Sequence, residues 1–207
     1  MKSLLAIIVT LAVVTLSGCG TSGLSTLSQA GATVAQPAAS SIAIPPDVAP
    51  EDTAAARYCV QTHGEVIVRH PVYGSNGSSL LFLAGVRSFC QYTRKKDGSR
   101  IHILLATLYT TKPSLAALAY ILKPAMGSQC QGNPASCYCS QLGASDQFGG
   151  TTGAGGGWYN KNSIDQTLEA CIFTDMSSID SWGLAYHSAG IIRGIDLTKV
   201  MRYKYPG

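Results

Sequence analysis

The sequence predicts an α+β fold with two disulfide-stapled repeats, residues 51–126 and residues 127–207, after a disordered N-terminal tether. Each repeat is expected to run helix, antiparallel hairpin, helix. Three observations support this prediction. Six of the seven cysteines lie beyond the first 50 residues, and two segments about 80 residues apart resemble each other around them. Helix-type and strand-type patterns also follow one another in both segments.

The first 18 residues have the pattern of a bacterial lipoprotein signal peptide. Lys2 supplies a basic start, and the apolar run Leu4–Leu16 is too short to span a bilayer comfortably. The run ends in Leu-Ser-Gly-Cys, which resembles the lipobox whose cysteine is acylated and becomes the mature N-terminus. We therefore predict Cys19 as the lipid anchor; the alternative is an ordinary secretory signal that carries Cys19 away. Gly20 follows instead of Asp, which by the same resemblance implies an outer-membrane lipoprotein facing the periplasm.

Residues 19–50 are predicted to be a flexible tether. From Gly20 to Pro50 the chain has no aromatic residue and a single charge, Asp47. It is rich in Ser, Ala, Thr, Gly and Pro, so it buries too little apolar surface to offset the entropy lost on ordering. We expect a disordered connection with a reach of about 30 Å between membrane and folded part.

Composition limits the classes of partner. The chain has 15 basic and 11 acidic side chains, a net charge of +4, and only 13% charged residues. This excess is too small to favour nucleic acid. A low charged fraction with 22 glycines is typical of an exported, loop-rich protein. We expect contact with the membrane through the N-terminal lipid and with another envelope protein; a small-molecule ligand is left open.

An internal repeat predicts how the cysteines pair. The segment ARYCVQTHGEV, from Ala56, resembles ASCYCSQLGAS, from Ala135; FCQYTRKKDGSRIH, from Phe89, resembles ACIFTDMSSID, from Ala170. The matching cysteines are 31 residues apart in the first repeat and 32 in the second. An even number of cysteines in an exported chain is typical of a disulfide framework. The predicted bonds are Cys59–Cys90, Cys139–Cys171 and Cys130–Cys137.

A zinc site is the alternative for the cysteines near position 137. Cys130, Cys137 and Cys139, together with a histidine, would supply four ligands. Their spacing lacks the paired Cys-x2–4-Cys of structural zinc sites, and exported thiols are usually oxidised before metal reaches them. We therefore predict neither a metal site nor a cofactor.

Each repeat is predicted to open with a short helix. In the second repeat Asn133 is the N-cap, Pro134 takes the first helical position and Gly143 ends the helix. In the first repeat Pro50 and two acidic residues precede the helix, and Gly64 closes it.

Strand patterns follow these helices. EVIVRHPVY, from Glu65, is β-branched and alternating, Asn76–Gly77 is a turn signal, and SLLFLAGVRSFCQYT supplies one or two returning strands. The second repeat instead has a glycine-rich segment, residues 146–174, predicted as a long flexible hairpin.

Two more helices are predicted. PSLAALAYILKP, Pro113–Pro124, is a short apolar helix. The last helix is predicted to begin with Ser177 as N-cap and Asp180 completing a capping box. The aromatic residues expected in the core are Tyr58, Tyr138, Trp182 and Tyr186.

The segments NPASCYCSQLG, from Asn133, and CIFTDMSSIDSWGLAY, from Cys171, resemble the bacterial lipoprotein family named "putative haemolysin", a domain of unknown function. The resemblance covers residues 133–188 well and residues 54–109 weakly, where Asn-Pro is missing. In the second copy Ser181 replaces the acidic residue that the family usually has. The resemblance implies one clear and one diverged copy of this domain in a lipoprotein; the family name does not establish haemolysis.

Catalytic residues are not predicted. The histidines at positions 63, 70, 102 and 187 lack the i, i+4 spacing of a helical metal pair, and the chain has no G-x-S-x-G elbow. A Ser-His-Asp site stays open, because its members need not be adjacent. The run GGTTGAGGG, Gly149–Gly157, lacks the following Gly-Lys-Ser/Thr of a phosphate-binding loop.

Two segments are candidates for partner binding. They are the glycine-rich segment, with Gly153, Trp158 and Tyr159, and the basic stretch Arg94, Lys95 and Lys96, for which a solvated loop is the alternative. We expect a lipid-anchored, non-catalytic binding or structural component of the cell envelope. The alternative is an inhibitor of a hydrolase, or an envelope enzyme, that uses the glycine-rich loop; a membrane-lytic protein is a third hypothesis.

Overall fold

The computed structural model describes residues 43–74, 80–128, 132–146 and 155–207. The predicted signal peptide, the anchor Cys19, most of the tether, the Asn76–Gly77 turn, Cys130 and Gly153 lie outside these residues. Every described residue belongs to one unit, residues 40–207.

The described residues form helices and an antiparallel sheet, as an α+β fold requires. The helices are α1 (Thr53–Gln61, after a 3-10 turn at Pro50–Asp52), α2 (Leu105–Tyr109), α3 (Leu115–Leu122), α4 (Pro134–Gln141), α5 (Ser181–Ser188) and α6 (Leu197–Val200). The strands are β1 (Glu65–Tyr73), β2 (Leu81–Phe82), β3 (Arg87–Thr93), β4 (Arg100–Leu104), β5 (Ser145–Asp146), β6 (Gly155–Tyr159), β7 (Thr167–Leu168), β8 (Ala170–Ile172) and β9 (Ser178–Asp180).

The strands join in the order β5-β8-β9-β4-β3-β1-β6-β7, with β2 paired to β1, and the sheet is a half-barrel. All pairs are antiparallel. Strands of both predicted repeats therefore share one sheet. Residues 127–207 meet residues 51–126 at two strand pairs, β9–β4 and β6–β1.

Two of the predicted disulfide bonds are confirmed. Cys59–Cys90 joins α1 to β3, and Cys139–Cys171 joins α4 to β8. Each bond ties a helix to the middle strand of a three-strand run, β1-β3-β4 or β5-β8-β9. Cys137 is also disulfide-bonded. Its predicted partner, Cys130, lies outside the described residues, so that pairing stays a prediction.

The arrangement between the helices differs from the predicted two-strand hairpin. In each half a third strand, β4 or β9, follows the disulfide-bonded strand and leads directly into the next helix. The glycine-rich segment adds another difference, because β6 pairs with β1 of the first half. A hairpin inserted in one half thus extends the sheet at the edge of the other.

The predicted helix ends are confirmed where the signal is local. Asn133 caps α4 by accepting from the backbone N–H groups of Ala135 and Ser136. The apolar helix predicted at Pro113–Pro124 is α3, Leu115–Leu122, and its N-cap, which was not predicted, is Ser114 through Ala117 N. At the end of α1 the residue with left-handed backbone geometry is His63, with φ 67°. Gly64 is required for a different reason, because a side chain there would collide with the Cys59–Cys90 disulfide. A Cβ on Gly64 would lie 2.3 Å from the Sγ of Cys90.

The predicted start of the last helix is wrong. Ser177 is not its N-cap; residues Ser178–Asp180 form β9, and Asp180 itself caps α5 by accepting from Gly183 N. The alternating Ser-Ile-Asp sequence lets β9 pair with β8 on one side and β4 on the other. These pairings outweigh the local capping-box signal.

One face of the sheet is apolar and carries the main core. Alternate residues of the central strands, including Tyr92, Ile103 and Ile179, pack there with both disulfides and with helices α1–α6. Ile44 and Val48 are half-buried against this core. The packed chain therefore begins within the predicted tether, before position 51.

The opposite face of the sheet combines a small second core with a buried polar row. Phe89, Leu104, Leu168 and Ala170 form this core, and Trp158 of β6 packs on it. The hairpin β6–β7 thus covers part of the second face. Polar side chains of β1, β3, β4 and β9 lie beside it. Among the described residues, no helix is long and apolar enough to cross a membrane.

Candidate functional site

The polar face of the sheet holds a cavity of about 210 Å³, here called the polar pocket. Its lining combines basic, acidic and aromatic side chains from β4, β9, α5 and the segments around β7. The ones that matter here are Arg100, His102, Asp165, Glu169, Trp182 and Arg193.

Arg69 fixes the loop that forms one wall of the polar pocket. Its guanidinium is fully buried and donates to the carbonyl oxygens of Trp158 (3.2 Å), Asp165 (2.8 Å) and Gln166 (3.3 Å) and to Ser163 Oγ (3.2 Å). Burial lowers the pKa of Arg69 to about 10, against the opposing effect of the Asp165 and Asp180 carboxylates. Arg69 therefore stays charged at neutral pH and ties the β6–β7 connection to β1.

His102 and Gln91 lie side by side on β4 and β3 behind the pocket. His102 Nε2 is 2.8 Å from Gln91 Oε1 and 3.4 Å from Arg69 Nη2. His102 Nδ1 lies 3.5 Å from Asp180 Oδ2. These side chains are all buried. The histidine is thus held in one orientation.

Asp180 joins a strand to a helix through its carboxylate. Oδ2 accepts from the backbone N–H of His102 at 2.5 Å, and Oδ1 accepts from Gly183 N at the start of α5. Both oxygens are occupied by backbone donors, and the residue is 5% exposed. Asp180 therefore positions β4 against α5, and its charge is compensated inside the protein.

Glu169 presents a carboxylate to the polar pocket. Its Oε2 accepts from Asn133 Nδ2 at 3.0 Å, and the Trp182 side chain is a neighbour of the same carboxylate. Burial raises the pKa of Glu169, while these two polar neighbours partly offset the rise. Asn133 also caps α4, so the pocket wall is fixed to the second half's first helix.

A second cavity, of about 420 Å³, lies along β1 and is here called the aromatic groove. Its lining runs from Asp47 and residues Glu65–Val68 to the rings of His70, Phe82 and Tyr159, with Lys161 beside them. His70 lies opposite Tyr159 in the β1–β6 pair. The Phe82 ring meets both edge-on, at centroid distances of 5.9 Å and 5.7 Å.

The groove follows an edge of β1 that is open in the described part of the chain. Residues 65–69 pair with β3 on one side, whereas β6 pairs only with residues 70–73 on the other. Asn160 Nδ2 donates to Val68 O at 3.1 Å and occupies one carbonyl of this edge. Apolar side chains of the neighbouring turn are exposed: Leu81, Phe82, Leu83 and Val86.

The structure separates the predicted partner-binding residues. Tyr159 lines the aromatic groove, whereas the Trp158 ring packs on Phe89. The Arg87 guanidinium lies over the Trp158 ring, 5.3 Å from the ring centroid. The basic stretch is the turn between β3 and β4. There Arg94 pairs with Asp97 at 3.2 Å and donates to Ile192 O.

Lys95 and Lys96 extend into solvent, and they do not line the aromatic groove. Gly153 lies outside the described residues. The predicted anchor Cys19 lies outside them as well, so the structure leaves both assignments as predictions.

The polar pocket was missed by reasoning from the sequence. One signal was present: in the alternating strand EVIVRHPVY, Arg69 stands on the same face as the buried Ile67. A charged residue at such a position indicates a buried partner network. The meeting of Arg69 with His102, Asp165 and Asp180 depends on strand order, which local patterns do not reveal.

The chemistry of the polar pocket is that of hydrogen bonding. It offers carboxylate acceptors and guanidinium donors around one indole ring. Within the described ranges, no group of three or more His, Cys, Asp or Glu side chains is placed to hold a metal ion. Comparisons with protein-family models, curated proteins and solved structures found no match to this chain.

Proposed function

We propose that this chain is a lipid-anchored, non-catalytic binding component of the bacterial cell envelope that takes an extended segment of another envelope protein into the aromatic groove. The observation that carries the proposal is the position of three aromatic rings beside the open edge of β1. The envelope location depends on the lipobox resemblance at Cys19, with the folded part facing the periplasm.

The open edge favours an extended peptide as the occupant. Backbone N–H and C=O groups of a strand edge can pair with an added strand, which supplies affinity without regard to sequence. Residues Glu65–Ile67 offer such an edge, next to the side chain of Asn160. The cavity runs alongside these residues, so an added strand would lie within it.

The side chains of the groove favour a segment with an aromatic or apolar residue followed by a basic one. His70, Phe82 and Tyr159 form a ring cluster, and Phe82 is 54% exposed. Two carboxylates, those of Asp47 and Glu65, stand against one ammonium, that of Lys161. The groove therefore has a negative balance and complements a basic partner segment.

The place of the groove agrees with a role on a tether. Pro45 and Asp47 line it, and the chain before them leads towards the predicted anchor. A protein hung from the membrane by residues 19–42 would present the groove at the end where its tether enters. The lipid anchor and the binding surface would then face the same envelope space.

We also propose that the two halves are copies of one unit, the second of them resembling the haemolysin-named lipoprotein family. The strand order β5-β8-β9-β4-β3-β1 supports it, because each half has its disulfide in the middle strand and its last strand at the centre. In both copies the last strand leads directly into a helix, α2 or α5.

Photo-crosslinking in living cells tests the binding proposal on the full chain. A photoreactive phenylalanine analogue is placed at Tyr159 and, as a matched control, at Tyr205, which is 47% exposed at the far end of the chain. We expect one discrete protein adduct, and only from position 159. The crosslinked part of the captured protein should be an extended segment that contains a basic residue. Glu65→Lys should abolish it.

Equal adducts from both positions, or an adduct that survives Glu65→Lys, would contradict the proposed groove. If the captured protein is a hydrolase whose activity falls on binding, the inhibitor function replaces the structural one. Cys19→Ser tests the anchor separately, because it should release the protein from the membrane fraction without changing the purified protein's binding.

A further inference from the structure

We propose that the polar pocket is a second binding site, for one neutral hexopyranose unit of a glycan. This site is separate from the aromatic groove and does not depend on the function proposed for it. Four features of the pocket support it: a rigid wall, a balance of charges, a volume that fits one ring, and an indole among polar groups.

The walls of the polar pocket are held in place before any ligand binds. His102 and Asp180 are 3% and 5% exposed and are bonded to Gln91 and to backbone donors. The loop that carries Asp165 is fixed by Arg69 through three carbonyl bonds. Such preorganisation reduces the ordering cost of binding a small polar molecule.

The charges of the pocket balance when Arg69, buried behind the wall, is counted. The lining has two guanidinium groups, Arg100 and Arg193, and three carboxylates, those of Asp165, Glu169 and Asp180. Arg69 interacts with Asp165 and Asp180 from behind, and Arg100 Nε pairs with Asp165 Oδ2 at 3.1 Å. Glu169 and Arg193 remain, one of each sign. A charged ligand would meet one attraction and one repulsion from this pair, which leaves the cost of desolvating its charge uncompensated. A neutral molecule that both donates and accepts hydrogen bonds can use both groups.

Size and shape agree with a single sugar ring. The cavity of about 210 Å³ is below the range of about 300–1,000 Å³ usual for drug-sized ligands. Trp182 is half-buried and lines the cavity together with Glu169, so the indole and the carboxylate face the same space. An indole face packs against the C–H face of a pyranose, while ring hydroxyls bond to neighbouring carboxylate and guanidinium groups.

The occupant is therefore a polyol ring and not a free ion. Hydroxyl groups can donate to Glu169 and accept from Arg193 at the same time, which neither a carboxylate nor an ammonium ligand can do. The remaining lining groups, Thr167 and Arg100, add one hydroxyl and further N–H donors.

Four sugars that differ mainly in charge test the site on the full chain by saturation-transfer NMR and titration. Glucose and N-acetylglucosamine are neutral, glucuronate is anionic and glucosamine is cationic. We expect both neutral sugars to bind in the millimolar range and both charged ones at least about fivefold more weakly, since the pair of opposite charges does not compensate the desolvation of a charged ligand in a partly buried site.

Two variants assign the binding to the pocket. Glu169→Gln should weaken neutral binding and remove the discrimination against glucuronate, and Arg193→Gln should do the same for glucosamine. Lys161→Gln, in the aromatic groove, should change neither. Arg193 is half-buried, with its guanidinium 5.2 Å from the centroid of the exposed Tyr186 ring, so thermal unfolding of both variants checks that each is folded before its binding is compared.

The proposal is overturned if none of the four sugars shows saturation transfer at millimolar concentration. It is equally overturned if both variants bind all four sugars as the parent does, because binding then lies elsewhere. A preference for glucuronate or for glucosamine in the parent chain would replace the neutral sugar by a charged ligand and would also refute it.

Discussion

Ile103 of β4 lies directly opposite Ile179 of β9 in an antiparallel pair, and both side chains are completely buried. Each belongs to the main core, which also takes in both disulfide bonds. This pair is one of the two places where the halves of the chain join in the sheet; the other is β1–β6. The halves therefore share one core and are expected to unfold together.

Truncating this pair tests the shared core. Ile103→Ala and Ile179→Ala should each cost about 2–5 kcal/mol in free energy of unfolding, because a buried cavity is left behind. The double variant should show a coupling of about 0.5–3 kcal/mol, since the two side chains are in contact. Urea denaturation measures it, with the Ile→Val changes as controls at about 0.5–1.5 kcal/mol each. Two separate unfolding transitions would show instead that the halves are independent.

The two long disulfide bonds should stabilise the protein equally. They close loops of 31 and 32 residues, so replacing either pair by alanines should lower the free energy of unfolding by about 3–4 kcal/mol. The pairs are Cys59→Ala with Cys90→Ala, and Cys139→Ala with Cys171→Ala. Guanidinium denaturation of the purified chains gives the comparison. If one pair matters and the other does not, the two halves are not equivalent in stability.

Asp180 should stabilise the fold mainly by accepting two backbone hydrogen bonds, and less by its negative charge. Asp180→Ala leaves the N–H groups of His102 and Gly183 without an acceptor, at about 1–3 kcal/mol each. Asp180→Asn keeps one acceptor oxygen and a good N-cap for α5, so it should cost clearly less. The measured quantity is the urea midpoint of each variant. Equal losses in both would show that the negative charge beside His102 is the stabilising feature.

His187 should make the protein less stable in mild acid. Its ring stacks on Tyr120 at a centroid distance of 3.7 Å, and neither ring nitrogen has a hydrogen-bond partner in the described chain. Burial, aided by the positive charge of Lys123, lowers the pKa of His187 below its ordinary 6.5. Below about pH 6.5 the unfolded chain therefore binds more protons than the folded one, and stability falls as pH drops towards the folded pKa.

His187→Phe keeps a stacking ring and removes this titration. Its stability should change less than that of the parent chain between about pH 7.5 and about pH 5.5, as thermal or urea unfolding at the two pH values will show. His63→Phe, at an exposed turn, serves as the control and should keep the parent's pH dependence. A parent-like slope in His187→Phe would assign the acid sensitivity to other groups.

Local signals predicted the features that depend on adjacent residues. Asn133 and Pro134 start α4 because a side-chain acceptor and a fixed φ act within one turn of the chain. The β-branched, alternating residues 65–73 predicted β1, although the strand is buried on both faces, at Val66 and at Ile67. The cysteine spacings of 31 and 32 residues predicted the bonds of Cys59 and Cys139, because one pattern occurs twice in the chain.

Features that depend on distant parts of the chain were decided by the tertiary structure. Asp180 carries a good local signal for a capping box, yet pairing of β9 with β4 and β8 makes it the N-cap one turn later. Arg69, His102 and Glu169 give weak signals separately, and they form a pocket wall only because β1, β4 and the segment after β7 become neighbours in the half-barrel.

The sequence by itself thus determined the α+β class, two disulfide bonds, the start of α4 and the presence of α3, since caps, periodicity and spacing act over a few residues or repeat within the chain. Only the tertiary structure decided which strands adjoin, where β6 and Tyr159 meet His70, and which charges are buried together. Those outcomes depend on the free energy of burying surfaces far apart in sequence, and that quantity belongs to no single segment.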